Sequence, residues 1–219
     1  MAQLKGLVFD MDGTLVDNRA YHFAAFEEYA KREGFELLEP VTLKHNGMHL
    51  KDIFPILFGE KVVEEHTLEE LTIGKESMYR EMYRPHIAPI AGLIELLHAA
   101  KEAGVKCAIG SSGCRENVEM ILEGLKIADL MDVTISGSDV THGKPHPEIF
   151  ATAIERMGLK PEECIVVEDA VNGILAGVAA GSKCIGITTT ATAEELKAAG
   201  ANMCISDYTV VTINDLQNL

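Results

Sequence analysis

With 219 residues, 47% of them apolar and 24% charged, the chain is long enough to bury a substantial core and reads as a soluble globular protein. Its 34 acids against 19 lysines and arginines give a formal charge of −15, which argues against nucleic acid or an anionic membrane as the main partner. An anionic substrate would need local cations, and no run of about 18 apolar residues is present to span a bilayer. Cys107, Cys114, Cys164, Cys184 and Cys204 form no CxxC pair, and four of them fall in or beside apolar runs. That is the pattern of small buried hydrophobes in a reducing compartment, not of a disulfide framework or a zinc site. Met1 to Leu4 carry no signal-peptide pattern, so the expected location is the cytoplasm. Nothing demands a partner chain, and a monomer is expected.

Leu7-Val8-Phe9 predicts a short buried strand, followed by Asp10-Met11-Asp12-Gly13, where two carboxylates and a glycine end it. From Asp17 to about Arg84 only helical patterns occur. Phe23, Phe26, Tyr29 and Ala30 recur at helical spacing up to Gly34, His49 to Phe58 is amphipathic and closed by Gly59, and Thr67 is placed to cap a helix to Tyr83. Residues 17–84 are therefore expected to be a helical cap inserted into one α/β core domain made of residues 1–16 and 85–219.

After Pro85, Pro89 and Gly92 the patterns alternate. Helices are predicted over Leu93–Ala103, Arg115–Leu125, Pro147–Met157, Ala170–Ala180 and Ala193–Ala199. Strands are predicted over Val105–Ile109, Val133–Ser136, Cys164–Val167, Lys183–Ile187 and Met203–Ile205. Such alternation implies a doubly wound parallel sheet, whose ligand crevice lies beyond the C-terminal ends of the strands.

Four polar clusters follow strands or lie in the loops after them. Asp10 and Asp12 would repel one another without a cation, and hard oxygen ligands favour Mg2+. Ser111-Ser112-Gly113 leads into a helix, offering a hydroxyl and backbone N–H groups to phosphate oxygens. Lys144 lies in a stretch stiffened by Pro145 and Pro147, a positioned charge for a phosphoryl group or a carboxylate. Glu168-Asp169 is a second acidic pair at a strand end. Taken singly, these are also a polar turn, a solvated lysine and acids favoured by a helix dipole. Taken together, they suit phosphoryl transfer through an aspartyl phosphate.

The set Asp10-Met11-Asp12-Gly13-Thr14, Ser111, Lys144-Pro145 and Glu168-Asp169, in that order, resembles the four motifs of the haloacid dehalogenase superfamily. The resemblance spans essentially the whole chain and is most similar to β-phosphoglucomutase-like phosphatases, with the helical insert like their C1-type cap. It implies Asp10 as the phosphorylated nucleophile and Asp12 as general acid/base. It also implies Mg2+ held by Asp10, the Asp12 carbonyl and Asp169 with help from Glu168, and a phosphoryl group bound by Ser111 and Lys144. Dehalogenases of the superfamily lack the second aspartate and the metal, so Asp12 with Asp169 argues against dehalogenation.

The same resemblance frames the choice between hydrolysis and mutase activity. His22 matches a histidine of β-phosphoglucomutase, although related phosphatases also carry it. In Asn46-Gly47-Met48-His49-Leu50-Lys51-Asp52, leucine stands where the mutase has the arginine that grips a second phosphate. Lys51 or His49 could bind there, but neither reproduces a guanidinium fork. The leading expectation is a Mg2+-dependent phosphatase acting on a small phosphorylated metabolite, plausibly a sugar phosphate. A sugar phosphomutase is the alternative, and a silent binder of a phosphorylated ligand is the third reading.

Overall fold

A computed structural model describes residues 3–42 and 50–219. The chain divides into two compact units, Met1–Asp17 with Ile87–Leu219, and Asn18–His86. In the first unit six strands form one parallel sheet: β1 (Gly6–Phe9), β2 (Lys106–Gly110), β3 (Val133–Ile135), β4 (Cys164–Glu168), β5 (Lys183–Ile187) and β6 (Met203–Ile205). β1 and β4 are buried along their whole length, which is why they read as unbroken apolar runs.

The strand order is β3-β2-β1-β4-β5-β6. Gly6 pairs with Lys106 on one side and Cys164 on the other, and Phe9 with Ile109 and Val167. The chain runs outward from β1 through β2 and β3, then returns to β1's other side at β4, so the order reverses between β1 and β4. In doubly wound sheets that reversal opens the ligand crevice.

Helices α5 (Leu93–Glu102), α6 (Arg115–Leu125), α7 (Glu148–Arg156), α8 (Val171–Ala179) and α9 (Ala193–Ala198) form crossovers. α5, α7, α8 and α9 pack on the sheet. One core cluster joins Val8, Ala108, Val166 and Cys184 of the strands to Ile149, Phe150 and Ile154 of α7, Ile174 of α8 and Leu196 of α9. Truncating a fully buried phenylalanine such as Phe150 to alanine would cost about 3–5 kcal/mol. Pro147 is the N-cap of α7 rather than a residue of its first turn. A short C-terminal helix, α10 (Ile213–Gln217), adds to the predicted set. All five cysteines are free thiols, and Cys107, Cys164 and Cys184 are buried.

The second unit is helical, with α1 (Arg19–Glu33), α2 (Leu50–Phe58), α3 (Glu60–Glu65) and α4 (Leu68–Tyr83). Phe26 of α1 meets Phe54 and Phe58 of α2 at ring-centroid distances of 6.0 and 6.4 Å. Burial of Ile53, Phe54, Leu57 and Phe58 carries α2 through Pro55, which would otherwise break an exposed helix. Thr67 and Glu70 form a reciprocal capping box at the start of α4, a device worth about 1 kcal/mol. Among the described residues no helix is long and apolar enough to cross a membrane.

Candidate active site

Asp10 is the residue after β1, and its backbone N–H donates to the Val167 carbonyl at 2.9 Å, which fixes it against β4. Glu168 ends β4 and Asp169 follows it. From the loop before α7, the Lys144 ammonium donates to Asp10 Oδ1 at 2.5 Å and to Glu168 Oε1 at 2.8 Å. Its Nζ also lies 4.5 Å from the centroid of the Phe150 ring. The Lys144–Pro145 peptide bond is cis. The other oxygen of Glu168 accepts from the Ala170 N–H at 2.7 Å. Asp10, Glu168 and Asp169 are all buried, and each offers an oxygen within 4.8 Å of the others.

Two glycines make room for these acids. Gly13 has φ +81°, and a Cβ there would stand 2.0 Å from Asp169 Oδ2. A Cβ at Gly173, on α8, would fall 1.8 Å from Glu168 Oε1. Side chains at either position would displace a carboxylate.

Among the described residues, three buried carboxylates face one ammonium. Burial pushes Asp10 up to about 7; Lys144 opposes the shift, and Glu168 and Asp12 reinforce it. Asp169 is raised well above the usual carboxylate range by burial, Glu168 and Asp10, against a hydrogen bond from Thr190. Burial alone would lower Lys144, but the charges of Asp10 and Glu168 prevail and hold it protonated. Two like charges 4 Å apart repel by roughly 4 kcal/mol at an effective dielectric constant near 20. The surplus of negative charge is therefore stable only with a bound proton or a further cation. The donors are exclusively hard oxygens, a set that fits Mg2+.

Ser111 is buried after β2, and its Oγ accepts from the Gly113 N–H at 3.0 Å. That N–H is therefore used within the loop, while the serine hydroxyl proton remains to be donated; Ser112 is exposed. A Cβ at Gly113 would lie 3.7 Å from Asp12 Oδ2, so this turn sits against the second aspartate. Asp12, half-buried, is outside the three-acid cluster, and its backbone bridges to Val16. In the helical unit, His22 stacks on Tyr79 with centroids 3.8 Å apart, and its Nδ1 is 2.9 Å from Lys75 Nζ. Lys51 is exposed near the start of α2. His49 lies outside the described residues.

Sequence reasoning passed over several neighbours of the site. The Thr189 hydroxyl donates to the Gly13 carbonyl, and Thr190 hydrogen-bonds Asp169. Both follow β5, so Thr188-Thr189-Thr190 was a further polar run at a strand end. Tyr208 donates to the Thr14 carbonyl at 2.8 Å, and burial beside Asp10 and Asp169 keeps its phenol neutral. Lys75, buried in α4, donates to Glu76 at 2.9 Å as well as meeting His22.

The family described as haloacid dehalogenase-like hydrolase matches residues 7–187. The chain is 32% identical over 209 residues to validoxylamine A 7'-phosphate phosphatase of Streptomyces hygroscopicus subsp. limoneus, covering 94% of this chain and 95% of that protein. It is 31% identical over 192 residues to hexitol phosphatase A of Escherichia coli strain K12, covering 85% and 84%. The crystal structure of β-phosphoglucomutase from Clostridium difficile shares the fold, with a TM-score of 0.82 at 24% identity over 98% of this chain and 96% of that one.

Proposed function

The chain belongs to the haloacid dehalogenase-like hydrolase family, and from that premise we propose that it is a Mg2+-dependent phosphohydrolase acting on a small phosphorylated metabolite, a sugar phosphate. The observation that carries this reading is the Lys144 ammonium bridging Asp10 and Glu168 at the ends of two adjacent strands.

An Asp10 oxygen attacks phosphorus, the ester P–O bond breaks, and Asp12 gives a proton to the departing oxygen. Asp12 then takes a proton from water, whose oxygen attacks the aspartyl phosphate, releasing inorganic phosphate and restoring the Asp10 carboxylate. Lys144 favours the ionised form of Asp10 that the first step needs, against burial. Ser111 donates to a phosphoryl oxygen from the neighbouring turn. Asp10, Glu168 and Asp169 would hold Mg2+, which when bound offsets the charge of the transferring group. Thr189, Thr190 and Tyr208 keep the Gly13-Thr14 turn and Asp169 in place.

The helical unit, Asn18–His86, acts as the cap that selects the substrate. Leu50, at the position of the mutase arginine, favours water over a second sugar phosphate as acceptor, and two relatives named as phosphatases support the same choice. The free, largely buried thiols support a reducing compartment such as the cytoplasm. The experiment is phosphate release with Mg2+ across sugar phosphates, nucleotides and pyrophosphate, beside conversion of β-glucose 1-phosphate to glucose 6-phosphate, with Asp10→Asn as the blank. Release lost in the blank, without interconversion, is expected. Fast interconversion with little free phosphate would replace the hydrolase by a mutase.

A further inference from the structure

The α/β unit carries a second group of metal-ligating side chains in the loop that holds Lys144. Glu148, the first residue of α7, has its carboxylate fixed from the backbone: Oε1 accepts from the Thr141 N–H and Oε2 from the His142 N–H, each at 2.9 Å. That same Oε2 is 2.7 Å from His142 Nδ1 and 3.9 Å from His146 Nδ1. The His146 ring is oriented by the Glu148 N–H, which donates to its Nδ1 at 3.3 Å, and the two imidazoles lie with centroids 4.5 Å apart. One ligand atom from each of the three residues falls within 4.8 Å of the others.

We propose that His142, His146 and Glu148 form a site for a borderline transition-metal ion of the Zn2+ class, separate from the hard-oxygen cluster. A tetrahedral ion with bonds of about 2.1 Å has ligand–ligand edges of about 3.4 Å. The oxygen-to-nitrogen separations of 2.7 and 3.9 Å bracket that edge, and the ion would replace the proton shared by His142 Nδ1 and Oε2 and the Glu148 N–H on His146 Nδ1. Two imidazoles and one carboxylate select Zn2+, Co2+ or Ni2+ over Mg2+, the reverse of three carboxylates. The imidazoles are exposed to solvent, which leaves an entry path and positions for water ligands. The two histidines bracket Lys144 in the chain, so the ion ties down the loop from which that lysine reaches Asp10.

Equilibrium dialysis against Zn2+ in the presence of a large excess of Mg2+, which fills the hard-oxygen site, compares the 219-residue chain with His142→Ala/His146→Ala. The unsubstituted chain should retain one equivalent of Zn2+ more than the variant, and Co2+ should give it a visible absorption band that the variant lacks. Equal melting curves in EDTA check that the exposed substitutions leave the fold intact. Glu148→Gln, whose single amide oxygen can accept from only one of the Thr141 and His142 N–H groups and which loses the charge, should weaken Zn2+ at least tenfold. Equal Zn2+ uptake by the chain and the double variant, as when thiols alone hold the ion, overturns the proposal. Neither readout depends on phosphatase activity.

Discussion

Lys144 and Lys75 are matched in burial, with side chains 9% and 3% exposed, and in aromatic support, with Phe150 and Phe26 ring centroids 4.5 and 4.7 Å from the ammonium. They differ in company. The described partners of Lys75 are one carboxylate, Glu76, and one imidazole, His22, so its charge is balanced locally. Lys144 touches two carboxylates, with a third, Asp169, beside them. A balanced buried pair is a costly but self-contained part of a fold. An unbalanced one is incomplete without a bound proton or a further cation, which is the gap that Mg2+ and an anionic substrate group fill in the proposed function. Surplus charge, not the buried lysine itself, distinguishes the candidate active site from the helical interior.

The largest expected effect is on the chemistry. Asp10→Asn should lower phosphate release by about 10⁴-fold or more, since the proposed mechanism makes Asp10 the group that takes the phosphoryl, whereas Lys75→Met should leave a measurable rate. Lys144→Met should come next. Losing the ammonium that, among the described residues, stands alone with three carboxylates should cost about 3–5 kcal/mol in metal-free protein, and Mg2+ should recover part of it in urea unfolding. Lys75→Met should cost less, about 1–3 kcal/mol, and that cost should not change with Mg2+. Equal costs and equal Mg2+ responses would erase the distinction between the two lysines.

The smallest signal is a pH slope. Asp10 has its carboxyl raised to about 7, above its ordinary 3.8, so between those values the metal-free folded state binds a proton that the unfolded state does not. Stability from this group is full below the ordinary value and is lost as pH rises through about 7, at no more than about 1.4 kcal/mol per pH unit. Melting curves from pH 5 to 8 in EDTA should show that decline. Asp10→Asn should remove its contribution.

Much of the sheet was legible because each strand is a short apolar run cut off by glycine or polar residues and each crossover carries an apolar stripe. Asp10, Lys144, Glu168 and Asp169 could be read as polar groups tied to strand ends, and the parallel topology brings them together. α3 was invisible, since Glu60 to Glu65 has no buried residue and so no apolar face to show. Thr189 and Thr190 were passed over because uncharged β-branched residues after a strand look like more strand. Only the contact with Gly13, 176 residues away in sequence, gives Thr189 a role. Lys75 had a signal that charge counting obscured. It continues the buried stripe of Leu71, Met78 and Tyr79, where a lysine is out of place unless the interior holds its counter-charge.

The central position of β1 also shapes how the molecule is made. β1 pairs with β2 and β4, joining Gly6 to Lys106 and to Cys164, so no hairpin can begin the sheet. At roughly 5–20 residues per second, a ribosome releases Asp10 on the order of ten seconds before Glu168. The helices of Asn18–His86 can meanwhile close on contacts that are shorter in sequence than those of β1 with β2 and β4, as α1 does on α4. β1 can pair with β2 first, but the edge that β4 covers stays open until β4 has been synthesised, which leaves an apolar strand edge exposed during translation.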